Sequence, residues 1–86
     1  MPRPISFEPR AASAATELPL SERAELALLL DRLAWAAEPY TVADPYMPDS
    51  SGPLLFHGVL HFGNGRLAVI ALYEDQIRVI SIRRNT

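Results

Sequence analysis

Hydrophobic and polar positions change period along this chain, and the changes divide it into elements. Ile5-Ser6-Phe7 alternates apolar and polar and reads as a short edge strand, stopped by Glu8-Pro9. Residues 10–18 are on balance good helix formers, and Pro19 ends that helix because the residue before a proline avoids helical geometry. A second helix follows, with Ser21 as the expected cap and Glu22 and Glu25 near the positive end of its dipole. Leu26, Leu29, Leu30, Leu33 and Ala37 recur at the spacing of one buried helical stripe. Ala27, Ala34 and Trp35 are expected to widen that stripe, while Asp31 and Arg32 face water. Pro39 is the expected stop.

The period then shortens to two. In residues 54–62, Phe56, Gly58, Leu60 and Phe62 share one face of a strand and Leu55, His57, Val59 and His61 share the other. Gly63-Asn64-Gly65 is a tight-turn signal, since glycine and asparagine accept positive φ. Arg66 to Tyr73 is the next strand, Glu74-Asp75-Gln76 the next turn, and Ile77 to Arg83 the last strand. Between the second helix and this meander, residues 39–53 are rich in proline, glycine, aspartate and serine and read as one long loop. Tyr40 and Tyr46 within it are expected to pack back on the sheet. The predicted fold is α+β, in the order β-α-α-β-β-β, with two helices on one face of a small antiparallel sheet.

Composition narrows the class. Eighty-six residues make a single domain, residues 1–86, with a modest core. Cysteine is absent, so disulfides and thiolate metal sites are excluded. The lack of cysteine mildly favours the cytoplasm. No apolar run reaches the ~18 residues of a membrane span, and Met1–Phe7 is not expected to act as a signal. Every basic residue is arginine. Residues 1–49 hold four arginines and eight acids, a net of −4, and residues 50–86 hold four arginines and two acids, a net of +2. The two halves therefore face different partners, or each other.

The candidate chemistry lies in the closing hairpin. Arg66 opens its first strand, Arg78 lies within the second, and Arg83-Arg84 close it. A planar guanidinium meets two phosphate oxygens at once, so this arrangement suits an anion. The alternative for Arg66 is an ion pair with Glu74 or Asp75 across the hairpin. Successive strand residues point to opposite faces, so Arg83 and Arg84 cannot both serve one site. His57 and His61 share a face about 13 Å apart, too far to bind one metal ion together.

These elements and words resemble the RelE/ParE superfamily of bacterial toxins. The matching segments are Ser6-Phe7-Glu8-Pro9-Arg10-Ala11, Leu18-Pro19 before an amphipathic helix, Gly65-Arg66-Leu67-Ala68-Val69-Ile70, and Tyr73 through Arg84. The resemblance implies a toxin of a type II toxin–antitoxin pair, neutralised by a cognate antitoxin protein, with a heterotetramer as one assembly. It implies metal-independent, cofactor-free cleavage of mRNA on the ribosome, with the ribose 2′-hydroxyl as nucleophile. On this likeness Arg66 and Arg84 are the phosphate clamps and His57 the proton-transfer group, with Arg83, His61 and Arg78 as further substrate contacts. The ParE branch implies DNA gyrase as the target instead. A non-catalytic binding module of the same fold is the third reading, supported by the absence of lysine and the slight negative charge.

Overall fold

The computed structural model describes residues 2–37, 42–47 and 54–84. Its elements are β1 (Ile5–Phe7), α1 (Pro9–Thr16), α2 (Leu20–Trp35), β2 (Asp44–Met47), β3 (Leu54–Phe62), β4 (Arg66–Tyr73) and β5 (Ile77–Arg84). The expected order is present, and a fifth strand joins it. The sheet runs β1-β5-β4-β3-β2. It is mixed rather than wholly antiparallel, because β1 pairs with β5 in parallel while the other pairs are antiparallel.

The extra strand, β2, comes from the segment expected to be all loop. It pairs Asp44 with Val59 and Pro45 with Gly58 of β3. Proline and aspartate argue against an interior strand. They are tolerated here because β2 lies at the sheet edge, where only one side of the ladder must be satisfied. The packing expected of Tyr40 lies outside the described residues, as does the Tyr46 side chain.

Both helices differ from expectation at their ends. Pro9 opens α1 as its first residue rather than merely stopping β1, since its fixed φ suits a helix start and its missing N–H is an orphan there anyway. Ser21 is not the cap of α2. Pro19 holds that position, and no side chain supplies the capping bond. The helix ends at Trp35, before Pro39, because Ala36 turns to extended geometry at ψ 129°.

The leucine stripe of α2 does its expected work. Leu26, Leu30, Leu33 and Ala34 are buried against Leu60, Phe62, Ala68, Ile70, Leu72, Ile77 and Val79 of the sheet, with Ala11 and Leu18 beside them. Trp35 does not belong to this core and is 65% exposed. At about 100° per residue it stands roughly 180° from Leu26 around the helix. Ala27 is exposed on the flank, and Ala37 is exposed beyond the helix end.

Arg3 ties the chain start to two elements. Its Nε donates to the Tyr73 carbonyl at 3.2 Å, and its Nη1 donates to the Leu33 and Ala36 carbonyls at 3.5 and 3.0 Å. Its backbone N–H donates to the Ala34 carbonyl at 3.0 Å. The carbonyls that end α2 have no partners within the helix, and one arginine satisfies several of them. Arg23 does similar service between the helices, donating to the carbonyls of Thr16 and Leu18 at 2.7 and 3.2 Å.

Candidate functional site

Strand register assigns each candidate residue to a face. Directly paired residues share a face, and faces alternate along each strand. Gly58 pairs with Ile70 and Ile70 with Val79; Leu60 pairs with Ala68 and Ala68 with Ile82; Phe62 pairs with Arg66 and Arg66 with Arg84. These rows carry the core, so they lie under the helices. The opposite face has its own rows. His57 pairs with Ala71, Ala71 with Arg78 and Arg78 with Ser6. Val59 pairs with Val69 and Val69 with Ser81. His61 pairs with Leu67 and Leu67 with Arg83.

The expected catalytic trio is therefore not assembled. Arg66 and Arg84 belong to a row on the helix side, and His57 belongs to the open side. The alternation that separates Arg83 from Arg84 holds, and it places Arg83 on the open face. His57, His61, Arg78 and Arg83 are together there.

Arg66 has a structural partner. Its Nε donates to Oε2 of Glu22 on α2, in a pair whose side chains are 21% and 17% exposed. The ion pair expected across the hairpin with Glu74 or Asp75 is not formed. Those acids follow Tyr73, at the far end of β4, about 23 Å of strand from Arg66. The turn beside Arg66 is fixed by α2 as well. Gly63 N–H donates to Glu25 Oε2 at 2.9 Å. Gly63 adopts φ 60°, and a Cβ there would stand 2.9 Å from Glu22 Cγ. Positive φ and a close helix thus both require glycine at this position. A cleft of about 280 Å³ lies here, lined by Glu25, His61, Phe62, Gly63, Gly65 and Arg66. Its carboxylate wall and its committed arginine make it a poor seat for an anion.

The open face is better suited to one. Neighbouring strands lie about 4.8 Å apart, so His61 and Arg83 stand roughly 10 Å apart at the backbone, across Leu67. Arg83 is oriented by Ser81, whose Oγ accepts a hydrogen bond from Arg83 Nε at 3.3 Å. The residues step out of phase at this point in β5, because Val69 pairs with Ser81 while Ile70 pairs with Val79. Ile80 is the extra residue of that bulge, and the bulge keeps Ser81 and Arg83 in line with the open face. Arg78, one row beyond Ser81, approaches Glu8 Oε1 at 3.8 Å in an exposed pair that contributes little.

Sequence reasoning missed Ser81, which is 7% exposed and is the buried polar side chain of the described residues. Its signal was a hydroxyl set between Ile80 and Ile82, two positions before an arginine. It also missed Glu22 and Glu25, which look like dipole-stabilising residues of a helix start and in fact hold the β3–β4 turn. Among the described residues, no three His, Asp or Glu side chains are grouped as a metal-ligand set. Among the same residues, no helix is long and apolar enough to cross a membrane.

No protein-family model matches the chain, and no curated protein matches it in sequence. A solved structure does match in shape. A chain in the crystal structure of the archaeal RelE–RelB complex from Pyrococcus horikoshii OT3 aligns with a TM-score of 0.78, over 99% of this chain and 97% of that one, at 14% identity. The fold is therefore RelE-like, as the sequence resemblance led one to expect.

Proposed function

We propose that this chain is the toxin of a toxin–antitoxin pair and that it cleaves mRNA on the ribosome through its open sheet face. The observation that carries the reading is the row His61–Leu67–Arg83 on the helix-free side of a RelE-like sheet. A guanidinium and an imidazole set in one row, on either side of Leu67, supply the two groups that hold a phosphodiester and move a proton beside it. In the proposed reaction the ribose 2′-oxygen attacks the adjacent phosphorus. The P–O5′ bond breaks as the P–O2′ bond forms, leaving a cyclic phosphate and a free 5′-hydroxyl. His61 takes the proton from the 2′-hydroxyl, and a water molecule supplies the proton that the departing 5′-oxygen takes up. Arg83 stabilises the charge that builds on the phosphoryl oxygens. His57 and Arg78, two rows further along the same face, contact the strand beyond the cleaved bond. Arg66 and Arg84 are not part of this site.

The neighbouring structure is of a RelE–RelB complex, and we assign this chain a cognate antitoxin of its own. A segment of that protein laid over the open face would cover Arg78 and Arg83 and silence the toxin. The chain would act in the cytoplasm, where ribosomes are.

Controlled expression with and without the product of the adjacent gene tests the reading. Growth should stop when the chain is made alone and continue when both are made. New 5′ ends should appear within translated messages, and His61→Ala or Arg83→Ala should remove them. Unchanged growth and an unchanged transcript pattern would refute it.

One observation favours a second reading. Arg66 is withdrawn to Glu22, so the open face carries fewer arginines than the nuclease resemblance implies. A gyrase inhibitor of the same fold needs no phosphate clamp. Arrest with a DNA-damage response and no new transcript ends would select it.

A further inference from the structure

The open face does not stop at Arg83. Beyond Val79 the outer edge of β5 is no longer paired with β1, because the chain leaves the sheet at Glu8, whose N–H donates to the Val79 carbonyl at 2.9 Å. The start of α1 stands beside the freed edge. A groove of about 500 Å³ runs between them, lined by Glu8, Pro9, Arg10, Ile80, Ser81 and Arg83. Three features of it point to an anion. Arg10 and Arg83 both line it, and Arg10 forms no hydrogen bond or ion pair with the described residues. Glu8 opposes them with one charge, but its carboxylate turns toward Arg78. Ser81 is 7% exposed and contributes its hydroxyl from within the groove. That oxygen accepts from Arg83 and keeps its own proton to donate. A buried hydroxyl with a proton to give, in a groove lined by two arginines, matches the acceptor-only oxygens of a phosphate.

We infer that this groove is a phosphate subsite, formed by Arg10, Ser81 and Arg83, that takes a backbone phosphate of the RNA strand as it leaves the cleavage row. The inference rests on the open face being an RNA surface. Arg83 joins the two places, and Arg10 and Ser81 belong to the groove alone. Arg10 is thus a positioning residue, which holds the strand without touching the reacting atoms.

The test is a nuclear magnetic resonance titration of the whole chain, reading arginine Nε–H and backbone amide signals. One arm uses inorganic phosphate against chloride at equal ionic strength. The other uses a single-stranded RNA hexamer. Saturable shifts are expected at Arg10, Ser81 and Arg83 in both arms, and at His61 with RNA. Arg10→Ala and Ser81→Ala should each weaken the site about tenfold, the loss of one charge-assisted hydrogen bond. Arg10→Ala should also lower the salt slope of RNA binding by roughly 0.7, as removal of one phosphate contact requires. Arg32→Ala, on the exposed face of α2, should change neither. Small unsaturable shifts spread over all arginines, an adventitious ion only, would overturn the subsite. So would RNA shifts at His61 and Arg83 that spare Arg10 and Ser81, while leaving the cleavage reading in place. Phosphate binding without any response to RNA would make the groove a free-phosphate site and overturn its place on the strand path. Cleavage by programmed ribosomes separates the two readings, since Arg10→Ala should raise KM and leave kcat near its original value, whereas His61→Ala should abolish kcat.

Discussion

Replacing Glu22 and Arg66, singly and together, decides whether the arginine that opens β4 holds the fold or works on a substrate. Arg66 Nε donates to Glu22 Oε2, and both side chains are about four-fifths removed from solvent. A hydrogen bond to a charged group contributes about 1.5–3 kcal/mol, against less than about 1 kcal/mol for an exposed ion pair such as Arg78–Glu8. Residual solvent contact places the coupling near the lower end, about 1.5 kcal/mol. In a domain of this size that corresponds to a Tm loss of roughly 6–12 °C. Glu22→Gln and Arg66→Ala should each lower the urea midpoint. The double variant should be less destabilised than the sum of the singles by the coupling energy. Any loss of RNA cleavage in Arg66→Ala should follow the fraction of unfolded protein and should be matched by Glu22→Gln. If Glu22→Gln leaves the midpoint in place, while Arg66→Ala stops cleavage in a protein of full stability, Arg66 belongs to the reaction and the face assignment is wrong.

Other substitutions probe the remaining framework. Gly65→Ala should cost about 1–2 kcal/mol from its positive φ alone, since nothing lies within 4 Å of the added carbon. Gly63→Ala should cost clearly more, because the same penalty is joined by a clash with Glu22; equal midpoints in urea for the two variants would contradict this. Arg3→Ala should cost about 2–3 kcal/mol by leaving the carbonyls of Ala36 and Tyr73 without their donor, with faster amide exchange at the Tyr73 and Ala36 N–H groups. Leu33→Ala, in the core, should cost about 3–5 kcal/mol, whereas Trp35→Ala should stay within about 0.5 kcal/mol, and thermal melts of the pair compare a buried with an exposed residue of one helix.

The parts of the fold that periodicity encodes were legible in the chain. The alternation of residues 54–62 separated Leu60 and Phe62 from His57 and His61, and the structure keeps that division. The Gly63-Asn64-Gly65 turn and both strands of the closing hairpin stand where pattern and turn chemistry put them. What escaped depended on contacts between distant elements. β2 was hidden because Pro45 reads as a loop residue until its edge position is known. Trp35 was misplaced because a large apolar residue suggests a core, whereas its angle around α2 puts it in water. The facing of the arginines escaped for the same kind of reason. Arg66 and Arg84 look like clamps in a linear reading, and the register that sets them on the helix side exists only once β4 is paired on both sides.

The charge split along the chain resolves in the same way. The acidic first half and the basic second half meet each other. Glu22 takes Arg66, Glu25 takes the Gly63 amide and Glu8 approaches Arg78. One arginine of the hairpin, Arg66, is thereby committed inside the fold, and a count of arginines overstates what is left for a substrate. Some of the arginines perform tasks that suit a guanidinium. Arg3 reaches carbonyls of both α2 and β4 from one side chain, and Arg23 bridges two carbonyls between the helices. Such spans need the several fixed donors of a guanidinium, which an ammonium does not have. Once Arg3, Arg23 and Arg66 are assigned to the scaffold, the cations that border the open face are Arg10, Arg78 and Arg83. Of these, Arg83 is the one positioned by a buried hydroxyl and set in a row with a histidine. Its register, rather than its place near the end of an arginine-rich segment, is what singles it out for the proposed reaction.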